Sequence, residues 1–513
     1  MTSRTGPTEI TLLHDLLDAA AGTWPENPAV TCGERTLDYR ELAAASHRLA
    51  RRLHAGGLRR GQRIVVGAPS SVTVPVLVYA ASRIGAAFSL LHEQVRGAQL
   101  EHVLADSEPA LLVSDSPEAR EAAAARGIRA VSVEEADAWA FDTAADGDGT
   151  TGPLPRGPLA VDPVCLIYTS GTTSLPKAVV STHQQAVFAV RAIQEVLGYR
   201  SDDVVYSPLP LSFDYGLYQL FLAACGGSRV WLGRPAEVGP PLLGNLLRSG
   251  ATVLPAVPAV AEALTRLLRR ARDRRPALRL VTNTGAAMPR ETITALREAI
   301  PGLSVHLMFG LTECKRATIM PADGDLERPG ACGRALPGTE VFVVDDEGRR
   351  LPPGEIGEIA VRGPNVMSGY WRRPELTAQR FPRVEGLFPE LRTGDYGWLD
   401  DEGYLYFTGR RDDIYKENGF RVSATEVEAA ARRVPGVVSA AVLAPREGRP
   451  ALLFVTGELT PGDVLLGMRE QIEEFKIPGR CVVLGDLPLT GNGKVDRKAL
   501  AALAEEAGDV RAR

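Results

Sequence analysis

Apolar positions change their spacing twice between Thr36 and Ser89. They recur at helical intervals through YRELAAASHRLARRLHAGG, run together in RIVVGA, and return to helical intervals in VPVLVYAASRIGAA. Helix, buried strand and helix in succession is the rhythm of a parallel α/β sheet. The same apolar runs come back in VCLIYTS, VVYSPLP, ATVLPAVP followed by AEALTRLLRRARD, LRLVTNTG and LSVHLMFG. A large body of layered α/β subdomains is predicted.

Two changes of texture divide the chain. Asp142 to Pro158 (DTAADGDGTTGPLPRGP) has no apolar period and reads as an exposed connector. From Cys332 to Tyr406, short strands with Gly/Pro turns (TEVFVVDDEGRRL, GEIAVRG, GYLYFTG) predict a smaller, antiparallel β-rich unit. After Gly409 a compact α+β segment follows. The predicted division is an N-terminal core over 1–410 and a small, mobile C-terminal α+β domain over 411–513. A length of 513 residues suits about three domain-sized units.

Composition excludes several classes. With 45% hydrophobic and 24% charged residues the chain reads as an ordinary globular protein. A net charge of −5 without a basic stripe argues against a nucleic-acid partner, and the Arg-rich stretch from Arg51 to Arg63 reads as a solvated helix face. Neither a signal-peptide core nor a membrane span is expected. Six cysteines without CxxC spacing or zinc-site clustering fit a reduced, cytoplasmic setting. Of 58 basic residues only six are lysine (Lys177, Lys315, Lys416, Lys476, Lys494, Lys498), so a surviving lysine is a candidate for a specific role.

YTSGTTSLPK, from Tyr168 to Lys177, packs five Ser/Thr hydroxyls, a Gly and a Lys into the turn after the apolar strand VCLI. Small residues let backbone N–H groups approach phosphate oxygens, hydroxyls add donors, and the ammonium neutralises charge. Pro176 before Lys177, with no helix announced, is not the GxxxxGK[ST] pattern of a Walker A loop.

This string resembles the phosphate loop of the adenylate-forming superfamily, which includes acyl-CoA synthetases, peptide-synthetase adenylation domains and firefly luciferase. MFGLTE (Met308 to Glu313), LRTGDYG (Leu391 to Gly397), GRRDDIYKENG (Gly409 to Gly419) and LTGNGK (Leu489 to Lys494) resemble further motifs of that family in order and spacing. GEIAVRGPNVMSGYW, at 357 to 371, fits as well.

The resemblance implies ATP and Mg²⁺ as cofactors. Thr169, Ser170, Gly171, Thr172, Thr173 and Lys177 would grip the β- and γ-phosphates, Thr312 would touch phosphate, and Glu313 would hold the metal. Phe309 would stack on adenine beside Gly285, Ala286 and Gly310, and Asp395 would take the ribose hydroxyls with Arg410 nearby. Lys494 would meet the substrate carboxylate and α-phosphate; with Lys177, Thr312 and Glu313 it completes the catalytic set. Asp412 would be the hinge, with Lys416 and Gly419 beside the thiol tunnel. Two positions depart from the pattern: Ser174 replaces a usual Gly, and Leu307 replaces an Asn or Gln that reads adenine.

For the acid, Asp214 in SFDYGLYQLF needs a partner, because an unpaired buried carboxylate costs several kcal/mol, on the order of 3–5. By resemblance Asp214 pairs with the α-ammonium of an amino or amino-aryl acid. Tyr215, Tyr218, Ala259, Thr282, Thr284, Met308, Arg316 and Ala317 would line the same pocket. The alternative is internal neutralisation by Arg316 in the run TECKRAT and an acid without an amino group. A nucleotide-binding paralogue without turnover is disfavoured because Glu313 and Lys494 are both present. The acceptor is expected to be the phosphopantetheine thiol of a separate carrier protein, or coenzyme A.

Overall fold

The computed structural model describes residues 10–143, 154, 157–169, 176–271, 273–383, 386–410, 414–417, 420–445, 450–472, 474–490 and 495–509. Most of the predicted connector at 142–158 lies outside them. The chain forms two compact units, the first made of 1–329, 333–341 and 361–391, the second of 330–332, 342–360 and 392–513.

The first unit is built on two sheets. In the nine-stranded sheet, Ser304–Phe309, Leu280–Asn283, Val253–Ala256, Val204–Ser207, Arg229–Leu232 and Pro28–Cys32 lie side by side and run parallel. In the seven-stranded sheet the parallel strands are Pro163–Thr169, Ala87–Leu91, Arg63–Gly67, Leu111–Ser114 and Arg129–Val131. Buried helices cover them. Thr73–Ile84 is buried at every position, its mostly apolar sequence including the buried Ser82 and Arg83, whereas Tyr39–Ala55 buries one stripe and starts with a capping box at Asp38 and Glu41. The basic segment is not simply solvated: Arg59 donates to the His54 carbonyl, Arg60 pairs with Asp162, and Arg63 donates to the Ser107 carbonyl.

Pro163–Thr169 is followed directly by an antiparallel strand, Lys177–Thr182, with Thr169 in register opposite Lys177. The phosphate-loop sequence therefore joins two strands, as the absence of a helix signal predicted. The β-rich stretch is less uniform than its texture suggested. Four strands form a sheet in the order Glu340–Val344, Gly357–Arg362, Glu390–Leu399, Leu405–Arg410, the last two antiparallel. Between them, Gly369–Tyr370 instead pairs with Lys177–Thr182 of the first unit. The physical reason is a free ladder edge on that strand.

Beyond 410, the hairpin Ile414–Glu417/Phe420–Ser423, a three-stranded sheet and the helices Ala424–Arg432, Pro461–Met468 and Arg497–Asp509 make the predicted α+β segment. It has its own core around Val427, Val442, Leu453 and Val464. Among the described residues no helix is long and apolar enough to cross a membrane.

One polar cluster is buried inside the first unit. His183 Nδ1 accepts from the Leu13 N–H at 3.1 Å, His14 contacts Ser82 Oγ at 2.9 Å, and the two rings meet edge to face. Burial lowers both imidazoles from 6.5 to about 4, aided by Arg83 at His14 and by His14 at His183. An unfolded chain would take up these protons near pH 6.5, so it binds more protons than the fold between about 6.5 and 4. Stability consequently falls as pH drops through that window. His183→Asn keeps an acceptor for Leu13 but removes one of the two titrations. Thermal unfolding between pH 7 and 4.5 should show a shallower loss in this variant than in the wild type, and equal slopes would contradict the assignment.

Candidate active site

Four neighbouring parallel strands end at one edge of the nine-stranded sheet, and each delivers a candidate residue there. Val204–Ser207 leads to Asp214, the first residue of helix Asp214–Gly226; Val253–Ala256 leads to Ala259 near the start of helix Pro258–Arg270. Leu280–Asn283 leads to Thr284, Gly285 and Ala286, and Ser304–Phe309 carries Met308 and Phe309 at its end. The carboxyl edge of a parallel sheet gathers residues this way because every crossover helix starts there. Gly285 has φ +87°, a conformation that favours glycine.

After Phe309 the chain turns sharply and returns, with Phe309 opposite Thr318 and Met308 opposite Ile319. Gly310 is required by the turn: a Cβ there would lie 2.2 Å from the Lys315 carbonyl oxygen. Lys315 itself takes φ +62°. Asn365, fully buried, secures the returning strand by donating from Nδ2 to the carbonyls of Cys314 at 3.1 Å and Arg316 at 3.0 Å. Four residues of this turn, Glu313 to Arg316, are all buried, and three of them are ionisable as charges.

Glu313 and Lys177 come together. Glu313 Oε1 accepts a 2.7 Å hydrogen bond from the Tyr370 hydroxyl and lies 3.9 Å from Lys177 Nζ, which sits 4.0 Å from the centre of the Tyr370 ring. Burial, then the charge of Glu313, holds the Tyr370 hydroxyl well above its ordinary value, so it stays a donor. Thr312 is half-buried, and its carbonyl accepts from Lys315 Nζ at 3.1 Å. Cys314, between these groups, is no nucleophile: burial pushes its thiol up to about 12.

Asp214 Oδ2 lies 3.6 Å from Arg316 Nη1, with both side chains almost wholly buried. That is an ion pair beyond hydrogen-bond range, and a negative charge in a helix's first turn is well placed. The Tyr215 hydroxyl is committed to Thr282, donating to its carbonyl at 2.7 Å. Tyr218 packs edge to face on Phe221. Ala317 is buried beside Arg316.

In the second unit Asp395 is buried in strand Glu390–Leu399, in register opposite Arg410. Ser170, Gly171, Thr172, Thr173, Ser174, Asp412, Gly419 and Lys494 lie outside the described residues, as do the side chains of Arg410 and Lys416. The first unit thus brings together Lys177 with Glu313, and Asp214 with Arg316. Three residues were not picked out from sequence: Tyr370, Asn365 and Lys315. Tyr370 lay in the matched run at 357–371, and Lys315 was one of the six lysines; Asn365 gave no signal of its own.

Comparison with known proteins agrees with this arrangement. The AMP-binding enzyme family profile matches residues 17–371, and the AMP-binding enzyme C-terminal domain matches 426–494. The L-proline--[L-prolyl-carrier protein] ligase of Streptomyces coelicolor is 30% identical over 503 residues, covering 91% of this chain and 92% of its own. Among solved structures, VinN in complex with L-aspartate is 39% identical with a TM-score of 0.70, covering 78% of this chain and 98% of that one. The O-succinylbenzoate coenzyme A synthetase of Bacillus subtilis, in complex with ATP and magnesium ion, is 26% identical with a TM-score of 0.79, covering 95% of this chain and 99% of that one. The first profile spans most of the sequence, and its residues include both the Lys177–Glu313 pair and the strand ends around Asp214. The chain belongs to the AMP-binding enzymes, ligases that activate a carboxylic acid with ATP for transfer to a carrier protein or coenzyme A.

Proposed function

We propose that this ligase activates a small amino acid as its aminoacyl-AMP and passes the acyl group to the phosphopantetheine thiol of a separate carrier protein. The observation that carries the amino-acid reading is Asp214. Its carboxylate is buried, makes no hydrogen bond among the described residues, and has Arg316 at 3.6 Å as its ion-pair partner. A substrate ammonium on Asp214 would supply the close donors that it lacks. A carrier-protein ligase for proline and a neighbour seen with L-aspartate support the same class. The alternative, an acid without an amino group passed to the thiol of coenzyme A or a carrier, is favoured by the same Arg316 approach if that pair persists when substrate binds.

Roles follow for the other candidates. Bringing a carboxylate to the α-phosphorus of ATP joins two anions, so cations must be in place where charge develops. Lys177 with Thr169, Ser170, Gly171, Thr172 and Thr173 would hold the β- and γ-phosphates. Phe309, Gly310, Gly285 and Ala286 would frame adenine, and Asp395 with Arg410 the ribose. Glu313 suits Mg²⁺, which is commonly held by one or two carboxylates together with substrate phosphates, and among the described residues no larger ligand cluster competes for it. The ion would draw negative charge off the phosphates. Lys494 would approach the reacting carboxylate, and rotation about Asp412 would exchange it for Lys416 and Gly419 in the transfer step. The boundary at 410/411 belongs to that motion.

Tyr370→Phe keeps the ring beneath Lys177 and deletes the donor to Glu313. Losing a hydrogen bond to a charged group costs about 1.5 kcal/mol, so KM for MgATP in pyrophosphate exchange should rise roughly tenfold, with KM for the acid little changed. An unchanged KM for MgATP would contradict the role given to Glu313. The substrate reading is tested by the same exchange assay with matched amino and des-amino acids. Asp214→Ala should weaken amino acids by about a few hundredfold or more and spare des-amino acids, since only the former lose a counter-charge. If Asp214→Ala and Arg316→Ala weaken both series alike, or the wild type prefers des-amino acids, the amino-acid reading fails.

A further inference from the structure

Lys315 is fully buried, yet no carboxylate lies within ion-pair distance of it among the described residues. Its ammonium has two partners: the Thr312 carbonyl at 3.1 Å and the face of Tyr218, whose ring centre is 5.3 Å away. A buried ammonium with one carbonyl and a π-face leaves donors and charge uncompensated. Two further donors beside it are in the same condition. The Tyr218 hydroxyl and Arg316 Nε are buried without a hydrogen-bond partner. Arg316 Nη1 donates to the Lys315 carbonyl at 2.9 Å, and the guanidinium stacks 4.7 Å from the Tyr215 ring centre, so its plane is fixed.

Asp214 offsets one of the two cations, which leaves this end of the pocket with a surplus positive charge before any substrate enters. Chance does not explain such a surplus at a position so firmly built. Asn365 holds the carbonyls on both sides of Lys315, and Gly310 makes room for the left-handed turn that turns its side chain inward. We propose that Lys315, with Arg316 and the Tyr218 hydroxyl, forms an anion subsite for a second carboxylate on the substrate, making the acid an amino dicarboxylic acid. The inference rests on the adenylation reading above. An ammonium drawn to Asp214 releases Arg316 toward the second carboxylate, so the ammonium and the non-reacting side-chain carboxylate are both matched within one pocket. The first carboxylate remains the reacting one. Three charged groups engaged on one compact skeleton also agree with a pocket whose walls include Tyr215 and Tyr218.

The test is pyrophosphate exchange with four matched probes: aspartate, asparagine, alanine and succinate, extended by glutamate, glutamine and glutarate. The wild type should favour an amino diacid over its monoamide by on the order of a hundredfold, the scale of hydrogen bonds to a charged group. Lys315→Met, which fills a similar volume without charge, should erase that preference while leaving KM for MgATP near the wild-type value. Lys315→Arg should restore part of it. A wild type that uses the monoamide or alanine as well as the diacid overturns the subsite. So does a Lys315→Met variant that loses all acids equally while still binding MgATP, because a turn-stabilising lysine would behave that way. If Lys315→Met does not fold, the wild-type ratio of diacid to monoamide decides alone. Exchange with monoacids but not with diacids removes this inference only, whereas exchange with no carboxylic acid removes the adenylation reading beneath it.

Discussion

Charge buried on one turn is the constraint that organises the first unit. Glu313, Lys315 and Arg316 fall within four residues, all nearly inaccessible, where each needs compensation that water cannot give. Glu313 has the Tyr370 hydroxyl and Lys177, Arg316 has Asp214, and Asn365 fixes the carbonyls between them. These partners come from three separate stretches of chain. The return of Gly369–Tyr370 to the first unit is best understood from this need, since it delivers Tyr370 and places it against Lys177–Thr182.

The same constraint connects fold to chemistry. Parallel strands whose carboxyl ends share one edge can bring an anionic acid and an anionic nucleotide near each other only if cations are fixed there in advance. Lys177 arrives from the seven-stranded sheet and Glu313 from the end of the nine-stranded one. Their meeting point is where the two sheets of the first unit exchange charged side chains. Asp214, one helix start away, pairs with Arg316 from the same turn as Glu313.

Much of this was legible in the sequence. The alternation of apolar periods predicted the parallel strands, and Pro176 before Lys177, with no helix announced, correctly argued against a Walker A loop leading into a helix. Asp214 and Arg316 could be paired on paper because an aspartate in an apolar run demands a cation. Other features were hidden by their nature. Tyr370 reaches Glu313 across 57 residues of sequence, and no local period records that. Lys315 was marked in the sequence only as one of six lysines; its burial depends on φ +62° and on the close approach at Gly310, which follow from the turn as folded. The exit of 361–391 from the β-rich stretch likewise depends on an open ladder edge elsewhere.

The central claim is that the acid's own carboxylate oxygen attacks the α-phosphorus of ATP. Oxygen-18 in the carboxyl group of the accepted acid tests it directly, with products separated and weighed by mass spectrometry after full turnover to a thiol acceptor. Attack at the α-phosphorus predicts one labelled oxygen in AMP and none in pyrophosphate. Label in inorganic phosphate, with ADP as the nucleotide product, would mean attack at the γ-phosphorus and would contradict the account.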